Sequence, residues 1–267
     1  MIIRKSEREI DKIAAAGSMV AETIAHVGSL IVPGISTGEL DEAAGAFIRS
    51  LGGIPTSQGY GPPGREYPGA ICISPNEVVV HGIPGAYEVS EGDLVTLDVG
   101  VTLDGYIADS AYTFGVGAVE PVAQQLMDVA QDALEAGIEQ AQVGNRVGDI
   151  SRAVQTTVES AGFSVVRSLV GHGVGRYYHE DPHIPNYGEA GRGPRLSEGM
   201  TIAIEPMITA GAAEVAVADD GWTVSTVDGS LAAHFEHTVA ILPHGPRILT
   251  PRVGVPARGK AGGGVLG

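Results

Sequence analysis

The sequence predicts one α+β domain made of two similar halves. The stretches "GISTGELDEAAGAFIRSLG", from Gly34, and "GNRVGDISRAVQTTVESAG", from Gly144, align at an offset of 110 residues and share three glycine positions. Strand-like sequence follows each stretch, so each half reads as a helix pair and then strands. We therefore expect internal pseudo-symmetry, with a site between the halves. The alternative is two unrelated helices that happen to end at glycine.

Four helices are predicted from hydrophobic spacing and end signals. The first opens with Ser6 and Glu9 in capping-box spacing, and apolar residues then recur at helical intervals as far as Val27. Glycines after the second and fourth helices are typical helix stops. The predicted ranges are 6–27, 37–51, 121–141 and 148–161.

A β-hairpin is predicted around Asp104-Gly105 in "LDVGVTLDGYIAD", because Asp-Gly favours a two-residue turn. With that turn, Asp109 lies opposite Gly100, and Asp98 becomes its diagonal neighbour on one face, with Cα atoms ~7–8 Å apart. Two carboxylates this close in an apolar strand pair require either a proton or a cation. A second hairpin is predicted at Asp220-Gly221.

Composition narrows the class of protein. The chain has 267 residues, 43% of them hydrophobic, and lacks an apolar run of the ~18 residues that a membrane span requires. The charged N-terminus and the single cysteine favour a cytoplasmic protein. A net charge of -16 argues against broad binding to nucleic acid. We expect one catalytic domain over residues 1–250.

The end of the chain differs in charge from the rest. No acidic residue follows Glu236, whereas four basic residues do: Arg247, Arg252, Arg258 and Lys260. The last segment is also rich in glycine, "PARGKAGGGVLG", which is typical of a flexible chain. Residues 251–267 are therefore predicted to form a flexible basic tail.

Several ionisable residues occur inside apolar strands: Asp98, Asp109, Glu205 and Glu236, with His81, His172 and His179 in other short motifs. Each alone fits a plain interpretation, such as a hydrogen-bonded core histidine or a salt-bridged glutamate. Together, buried carboxylates without counter-charges are too costly, and the same segments contain no comparable set of arginines or lysines. Metal cations are the simplest compensation. The donor set exceeds one tetrahedral zinc site and suits two divalent ions.

These motifs resemble those of the type I methionine aminopeptidases. The matching stretches are "CISPNEVVVHGIP", "GDLVTLDVGVTLDGYIAD", "GHGVGRYYHEDP", "GMTIAIEPMI" and "DGWTVSTVDGSLAAHFEHT". The resemblance runs from about Ser6 to about Leu249 and implies the duplicated α+β "pita-bread" fold. It also implies removal of N-terminal methionine from nascent proteins and peptides, with preference for a small second residue.

The resemblance assigns roles to the ionisable residues. Two divalent ions would be held by Asp98, Asp109, His172, Glu205 and Glu236, with Asp109 and Glu236 bridging both. A hydroxide that bridges the ions would attack the peptide, and Glu205 would handle its proton. His81 would contact the scissile amide, and His179 the carbonyl oxygen. Co, Mn, Fe and Zn all suit such ligands, so the metal stays open.

The resemblance also implies a methionine pocket. It would be formed by Tyr67, Cys72, Tyr178 and Trp222, together with His81 and His179. The stretch "SQGYGPPGREYPG" departs from the expected pattern, which leaves the role of Tyr60 open. Backbone carbonyls near Asn76 and Val78 would bind a monovalent cation.

Two other functions remain possible from the sequence. An X-Pro aminopeptidase or prolidase would share the fold and ligands, although such chains usually carry a large N-terminal domain. A non-catalytic relative would have lost ligands. The expected partner is a peptide or nascent chain that begins with methionine. We also predict a weak, salt-sensitive ribosome contact through the basic tail; a solvated tail without a partner is the alternative.

Overall fold

The computed structural model describes residues 1–255, and residues 256–267 lie outside the described part. Four α-helices occur in the described part: α1 (Glu7–Gly28), α2 (Thr37–Ser50), α3 (Pro121–Glu139) and α4 (Val147–Ser160). All four predicted helices are present, with ends within two residues of the prediction.

The strands are short except for one long hairpin. They are β1 (Ile54–Pro55), β2 (Cys72–Pro75), β3 (Val78–Val80), β4 (Leu94–Leu103), β5 (Tyr106–Gly115), β6 (Ser164–Val165), β7 (Val170–Gly173), β8 (Glu180–Pro185), β9 (Thr201–Ile204), β10 (Met207–Thr209), β11 (Val215–Val217), β12 (Val224–Thr226), β13 (Ala232–His234), β14 (His237–Leu242) and β15 (Gly245–Ile248). Within residues 1–255, the pairings between these strands are antiparallel.

The two larger sheets carry the two halves of the domain. The first has the order β1-β4-β2, with β5 paired to β4, and the second has the order β15-β14-β9-β7-β8. Smaller sheets, β13-β10-β6 and β11-β12-β3, lie alongside them. Helix α1 packs on β4 and β5, and α3 packs on α4. The predicted mixed α+β architecture is therefore confirmed.

Helix α1 shows why the apolar spacing predicted a helix. Glu9 Oε2 accepts hydrogen bonds from the backbone N–H of Ser6 at 2.8 Å and from its hydroxyl at 2.8 Å, which begins the helix. Ile13, Val20 and Ile24 then fall on one face and are buried against the sheet.

The predicted repeat appears in the geometry of both halves. Each end of α4 and of β6 lies 110 residues after the corresponding end of α2 and of β1. Gly34 and Gly144 precede the two helices with φ of 93° and 101°. Such positive angles favour glycine, which explains why the repeat keeps it at these positions.

The hairpin β4–β5 has the predicted register. Asp109 pairs with Gly100 and Asp98 with Ala111, because the turn contains only Asp104 and Gly105. These turn residues have φ of 49° and 77°, as a type I′ turn requires. The second predicted hairpin joins β11 and β12, but its connection runs over residues 218–223 and is longer than a two-residue turn.

The predicted tail is described only in its first part. Residues 251–255 are described, whereas Arg258 and Lys260 lie outside the described residues, so the boundary at residue 250 stays a prediction. Arg247 is paired with Asp11 at 3.1 Å, at the surface. In the described part of the chain, no helix is long and apolar enough to cross a membrane.

Candidate active site

A cavity of about 680 Å³ lies between the two halves. The residues predicted for catalysis, metal binding and the methionine pocket all line it: Tyr67, Cys72, His81, Asp98, Asp109, His172, Tyr178, His179, Glu205, Trp222 and Glu236. Asp98 comes from β4 and Asp109 from β5. Glu205 directly follows β9, and Glu236 directly precedes β14, in the other sheet. The chain therefore brings residues from both halves to one place.

Four carboxylates occupy the floor of this cavity. Asp98, Asp109, Glu205 and Glu236 are all buried. Burial raises the pKa of each carboxyl above its ordinary value, and the charges of neighbouring carboxylates raise those of Asp109, Glu205 and Glu236 further. Within the described residues, Asp98 Oδ1, Asp109 Oδ1 and Glu236 Oε1 are buried without a hydrogen-bond partner. Such atoms call for a partner, and a bound cation would supply one.

His172 faces this group with a defined nitrogen. Its Nδ1 lies 2.9 Å from the carbonyl oxygen of Gly173 and donates to it, because a carbonyl only accepts. In the neutral ring, Nε2 then carries the lone pair. That atom lies 3.4 Å from Glu205 Oε1 and 3.8 Å from Asp109 Oδ2. Burial lowers the pKa of His172 to about 3, which keeps the ring neutral as a metal ligand must be.

The donor set fits divalent metal ions. Ligand atoms of Asp109, His172 and Glu236 all lie within 4.8 Å of one another. The partnerless carboxylate oxygens share the cavity with the lone pair on His172, and within residues 1–255 no lysine or arginine side chain hydrogen-bonds to those oxygens. Oxygen donors with one imidazole suit Mn, Fe, Co or Zn.

Hydrogen bonds join the two halves directly behind the carboxylates. The hydroxyl of Thr238 accepts from the backbone N–H of Asp109 at 3.0 Å and donates to its carbonyl at 2.8 Å. The backbone N–H of Glu236 donates to the carbonyl of Ala111 at 3.0 Å. These contacts hold Asp109 and Glu236 in register across the interface.

Arg252 completes this junction from the end of the described chain. Its Nη2 donates to the carbonyls of Ala111 at 2.7 Å and Glu236 at 3.0 Å. Its Nη1 donates to the hydroxyl of Ser110 at 3.2 Å, and the guanidinium lies 4.8 Å from the ring centre of Tyr112. Burial lowers the pKa of Arg252 to about 10, so it remains a cation at neutral pH. This residue, predicted as part of the tail, contacts the site.

Two histidines stand at the cavity wall. His81 follows β3 with a φ of 57°, a left-handed conformation that a residue other than glycine rarely adopts. Burial lowers the pKa of His81 to about 4, and the electrostatic effect of His179 contributes in the same direction. The ring centre of His179 lies 4.3 Å from that of His172, and its Nδ1 lies 2.7 Å from the hydroxyl of Tyr60. Burial likewise lowers the pKa of His179.

One end of the cavity is aromatic. The Tyr67 hydroxyl donates to the carbonyl of Gly82 at 2.6 Å, and its ring packs edge-on against Trp222 at 5.4 Å. Cys72 lies opposite Asp98 in the β2–β4 pair. Tyr178 lies over Gly100, where a Cβ would come within 2.4 Å of its hydroxyl. Glycine at position 100 is therefore what allows Tyr178 to reach the cavity.

An ion pair that the sequence did not predict supports the loop with Tyr178 and His179. Lys5 Nζ lies 2.5 Å from Glu180 Oε2, and both side chains are buried. Glu180 Oε1 accepts from the backbone N–H groups of Arg176 at 2.7 Å and Tyr177 at 3.0 Å. The N-terminal segment thereby holds the loop that carries two cavity residues.

The comparison with known families identifies the class of protein. The model of metallopeptidase family M24 matches residues 11–243. A methionine aminopeptidase of Clostridium perfringens is 50% identical over 94% of this chain and 99% of its own length. The chain belongs to the methionine aminopeptidases of family M24. A methionine aminopeptidase of Mycobacterium tuberculosis is 45% identical over 94% of this chain and 95% of its own length.

Solved structures give the same family and the wider fold. A methionine aminopeptidase of Rickettsia prowazekii superposes with a TM-score of 0.91 at 40% identity, over 94% of this chain and 100% of its own. A prolidase of Pyrococcus furiosus reaches a TM-score of 0.76 at 21% identity and is covered to 66% of its length. The prolidase shares the pita-bread fold alone, so the predicted methionine aminopeptidase is supported and the prolidase alternative is not.

The sequence does not predict the contacts of four residues at this site: Lys5, Tyr60, His234 and Arg252. Those contacts join positions that are far apart in the chain, such as Tyr60 with His179 and Arg252 with Ala111. Nothing in the local sequence indicates that Lys5, so close to the N-terminus, is buried. For Arg252, composition indicates a solvated tail, whereas its guanidinium is directed inward.

Proposed function

We propose that this metallo-exopeptidase removes the N-terminal methionine from nascent proteins and peptides, with preference for a small second residue. One observation carries the proposal: buried carboxylates with partnerless oxygens and His172 share a cavity with an aromatic end. The first group suits divalent ions, and the second suits an apolar, polarisable side chain such as methionine. The family membership supports the same activity.

The proposed metal ligands are Asp98, Asp109, His172, Glu205 and Glu236. Two ions would be present, with Asp109 and Glu236 bridging them. The short separations among Asp109, His172 and Glu236 support this assignment. When bound, such ions lower the pKa of a water molecule and polarise the substrate carbonyl. Glu205 is proposed to act from its ionised form, which a bound cation favours, and to accept and return the proton of the attacking water.

The two wall histidines would act on the peptide itself. His179 is proposed to donate a hydrogen bond to the oxygen that becomes negative, and His81 to contact the scissile amide. A hydroxyl that donates to Nδ1 of His179 leaves the proton on Nε2, where it can serve as that donor. Tyr60 is in position to supply this hydroxyl.

The methionine side chain is proposed to occupy the aromatic end formed by Tyr67, Cys72, Tyr178 and Trp222. Burial raises the pKa of the phenols of Tyr67 and Tyr178, and of the Cys72 thiol, so these groups stay uncharged. An uncharged, polarisable wall favours a thioether over a charged side chain.

A direct assay tests the activity. Protein stripped with a chelator and reloaded separately with Co, Mn, Fe or Zn is incubated with Met-Gly-Met-Met, Met-Leu-Met-Met and an X-Pro peptide. We expect methionine release from the first peptide, slower release from the second and none from the third. Equal rates on the first two would contradict the proposed second-residue preference, and cleavage of the X-Pro peptide alone would contradict the activity.

A monovalent cation near Asn76 and Val78 remains a proposal. Asn76 has a φ of 52°, and its carbonyl accepts from the backbone N–H of Ala232 at 2.9 Å, which leaves one lone pair for a cation. Activity measured in potassium, sodium and tetramethylammonium chloride at equal ionic strength tests it. Identical rates in the three salts would contradict a functional cation there.

Contact with the ribosome, and with it a cytoplasmic location, also remains a proposal. Arg247 and Arg252 are engaged within the protein, so the proposed contact now depends on Arg258 and Lys260, outside the described residues. Cosedimentation of ribosomes with the full chain and with a chain ending at Val255 tests it. We expect stronger binding by the full chain at low salt, lost as salt rises. Equal binding by both would contradict a role for the tail.

A further inference from the structure

His234 ends β13 immediately behind the carboxylates. It is 1% exposed, and neither ring nitrogen has a hydrogen-bond partner among the described residues. Its Nε2 lies 3.7 Å from Glu205 Oε2. A buried polar atom without a partner costs free energy, so this geometry requires an explanation.

The carboxylate of Glu205 lies between two imidazoles. His172 Nε2 lies 3.4 Å from Oε1, and His234 Nε2 lies 3.7 Å from Oε2. The two rings differ in one respect: Nδ1 of His172 is bound to a backbone carbonyl, which directs its lone pair toward the carboxylates. Within residues 1–255, His234 has no such contact, so its Nε2 is free to carry the proton and face Glu205 as a donor.

The backbone fixes His234 relative to Glu205. The hydroxyl of Thr113 accepts from the backbone N–H of His234 at 3.0 Å and donates to its carbonyl at 2.9 Å. His234 also pairs with Met207, which lies two residues after Glu205 on the adjacent strand. These contacts hold the ring and the carboxylate together, so a side-chain adjustment of about 1 Å or less closes the hydrogen bond.

We propose that His234 is a positioning residue that donates a hydrogen bond from Nε2 to Glu205 Oε2. The bond would hold the carboxylate so that Oε1 faces the metal side of the site. Glu205 lines the cavity, whereas His234 is absent from its described lining, so His234 acts on the reaction only through Glu205. Hydrogen bonds to the outer atoms of metal ligands commonly fix ligand orientation. The inference rests on the proposed role of Glu205 as a ligand.

Replacement of His234 by Gln and by Leu tests the donor role. Gln keeps an N–H donor at similar reach, and Leu fills the space without one. The readouts are Mn²⁺ affinity of chelator-treated protein by calorimetry, kcat and KM on Met-Gly-Met-Met, and the melting temperature. We expect His234→Leu to lose about 10–100-fold in Mn²⁺ affinity, with a fall in kcat, and His234→Gln to stay near wild type.

Three outcomes would overturn the proposal. If His234→Leu keeps the wild-type Mn²⁺ affinity and kcat, His234 has no role in metal binding or in the reaction. Equal losses in the Leu and Gln variants would show that an N–H donor at this position does not restore the site, which overturns the donor role. If the Leu variant does not fold, His234→Met replaces it as the variant without a donor, and equal losses in Met and Gln would overturn the donor role in the same way.

The variant His172→Ala separates this inference from the proposed metal site. Loss of Mn²⁺ binding in His172→Ala, with no change in His234→Leu, overturns only the positioning role of His234. Undiminished Mn²⁺ binding in His172→Ala overturns the metal site itself.

Discussion

The hydroxyl of Tyr60 lies 2.7 Å from Nδ1 of His179. Burial raises the pKa of the Tyr60 phenol, so the hydroxyl keeps its proton and can donate it. We expect the hydroxyl to donate to Nδ1, which leaves the proton of neutral His179 on Nε2. Tyr60, whose role the sequence leaves open, would then control the donor at the proposed reaction centre.

Replacement of Tyr60 by Phe removes only this hydroxyl. We expect kcat to fall about 10-fold, as for the loss of one neutral hydrogen bond, with a smaller change in KM. Steady-state kinetics on Met-Gly-Met-Met measures both. Tyr177→Phe is the matched control, because that side chain is 66% exposed and does not line the described cavity. A Tyr60→Phe enzyme with unchanged kcat would contradict the tautomer argument.

His179→Ala should lower kcat by ~10²–10³, because it removes a donor to the developing oxyanion. The effect on KM should be small, since the donor is needed most in the transition state. The same peptide assay separates the two constants. If KM rises while kcat holds, His179 binds substrate and takes no part in stabilising the intermediate.

The metal-free protein should lose stability as pH rises. Burial raises the pKa of the Asp98 carboxyl to about 7 and shifts Asp109, Glu205 and Glu236 in the same direction. The folded state then holds protons that the unfolded state releases near its ordinary carboxyl pKa of ~4. The contribution of these protonated carboxyls to the free energy of unfolding is therefore fully present below the unfolded pKa of ~4. It is lost as pH rises through the higher pKa values of the folded state.

Melting temperatures of chelator-treated protein across the range from mildly acidic to mildly alkaline pH measure this loss. Saturating Mn²⁺ should reduce it, because the ion binds the ionised form and the folded state. A melting temperature that rises with pH through neutrality in the metal-free protein would contradict the assigned direction.

Cys72 should react slowly with thiol reagents. It is 5% exposed, and burial, with the charge of Asp98, raises the pKa of its thiol well above the ordinary value. Since the thiolate is the reactive form, we expect labelling at about pH 8 to be at least ~10-fold slower than in denatured protein. Mass spectrometry after timed quenching gives both rates. Similar rates would place the thiol at the surface.

Arg252→Met should destabilise the protein by about 2 kcal/mol or more, because its charge-assisted hydrogen bonds to two backbone carbonyls are lost. Mn²⁺ affinity should fall as well, since those carbonyls belong to Ala111 and Glu236. Urea unfolding and calorimetry measure the two effects. Arg247→Met, which breaks only a surface pair with Asp11, is the control and should change both little.

Sequence reasoning succeeds where the determinants are local. The two-residue turn at Asp104-Gly105 fixes the strand register, so the diagonal placement of Asp98 and Asp109 follows by counting. Glycines with positive φ set the ends of both helix pairs, which makes the repeat visible. The Asp220-Gly221 connection is longer than predicted, because Asp220 accepts from the backbone of Trp222 and Thr223 within a wider loop.

Contacts between distant segments escape sequence reasoning. His234 resembles an ordinary strand residue, and its proximity to Glu205 depends on the pairing of β13 with β10. Lys5 and Arg252 stand in stretches of polar composition, yet each places a charged group in the interior. Such contacts exist only after the sheets have packed, so composition and periodicity carry no trace of them.

The position of Arg252 has a consequence for the synthesis of the enzyme. The chain is made from the N-terminus, so all five proposed ligands emerge from the ribosome before the guanidinium that joins Ala111 to Glu236. Until residue 252 follows, the strands from the two halves lack this connection. We therefore expect a nascent copy to hold metal poorly and to become competent only at a late stage of translation. The metal site of this aminopeptidase would therefore be completed only after residue 252 has left the ribosome.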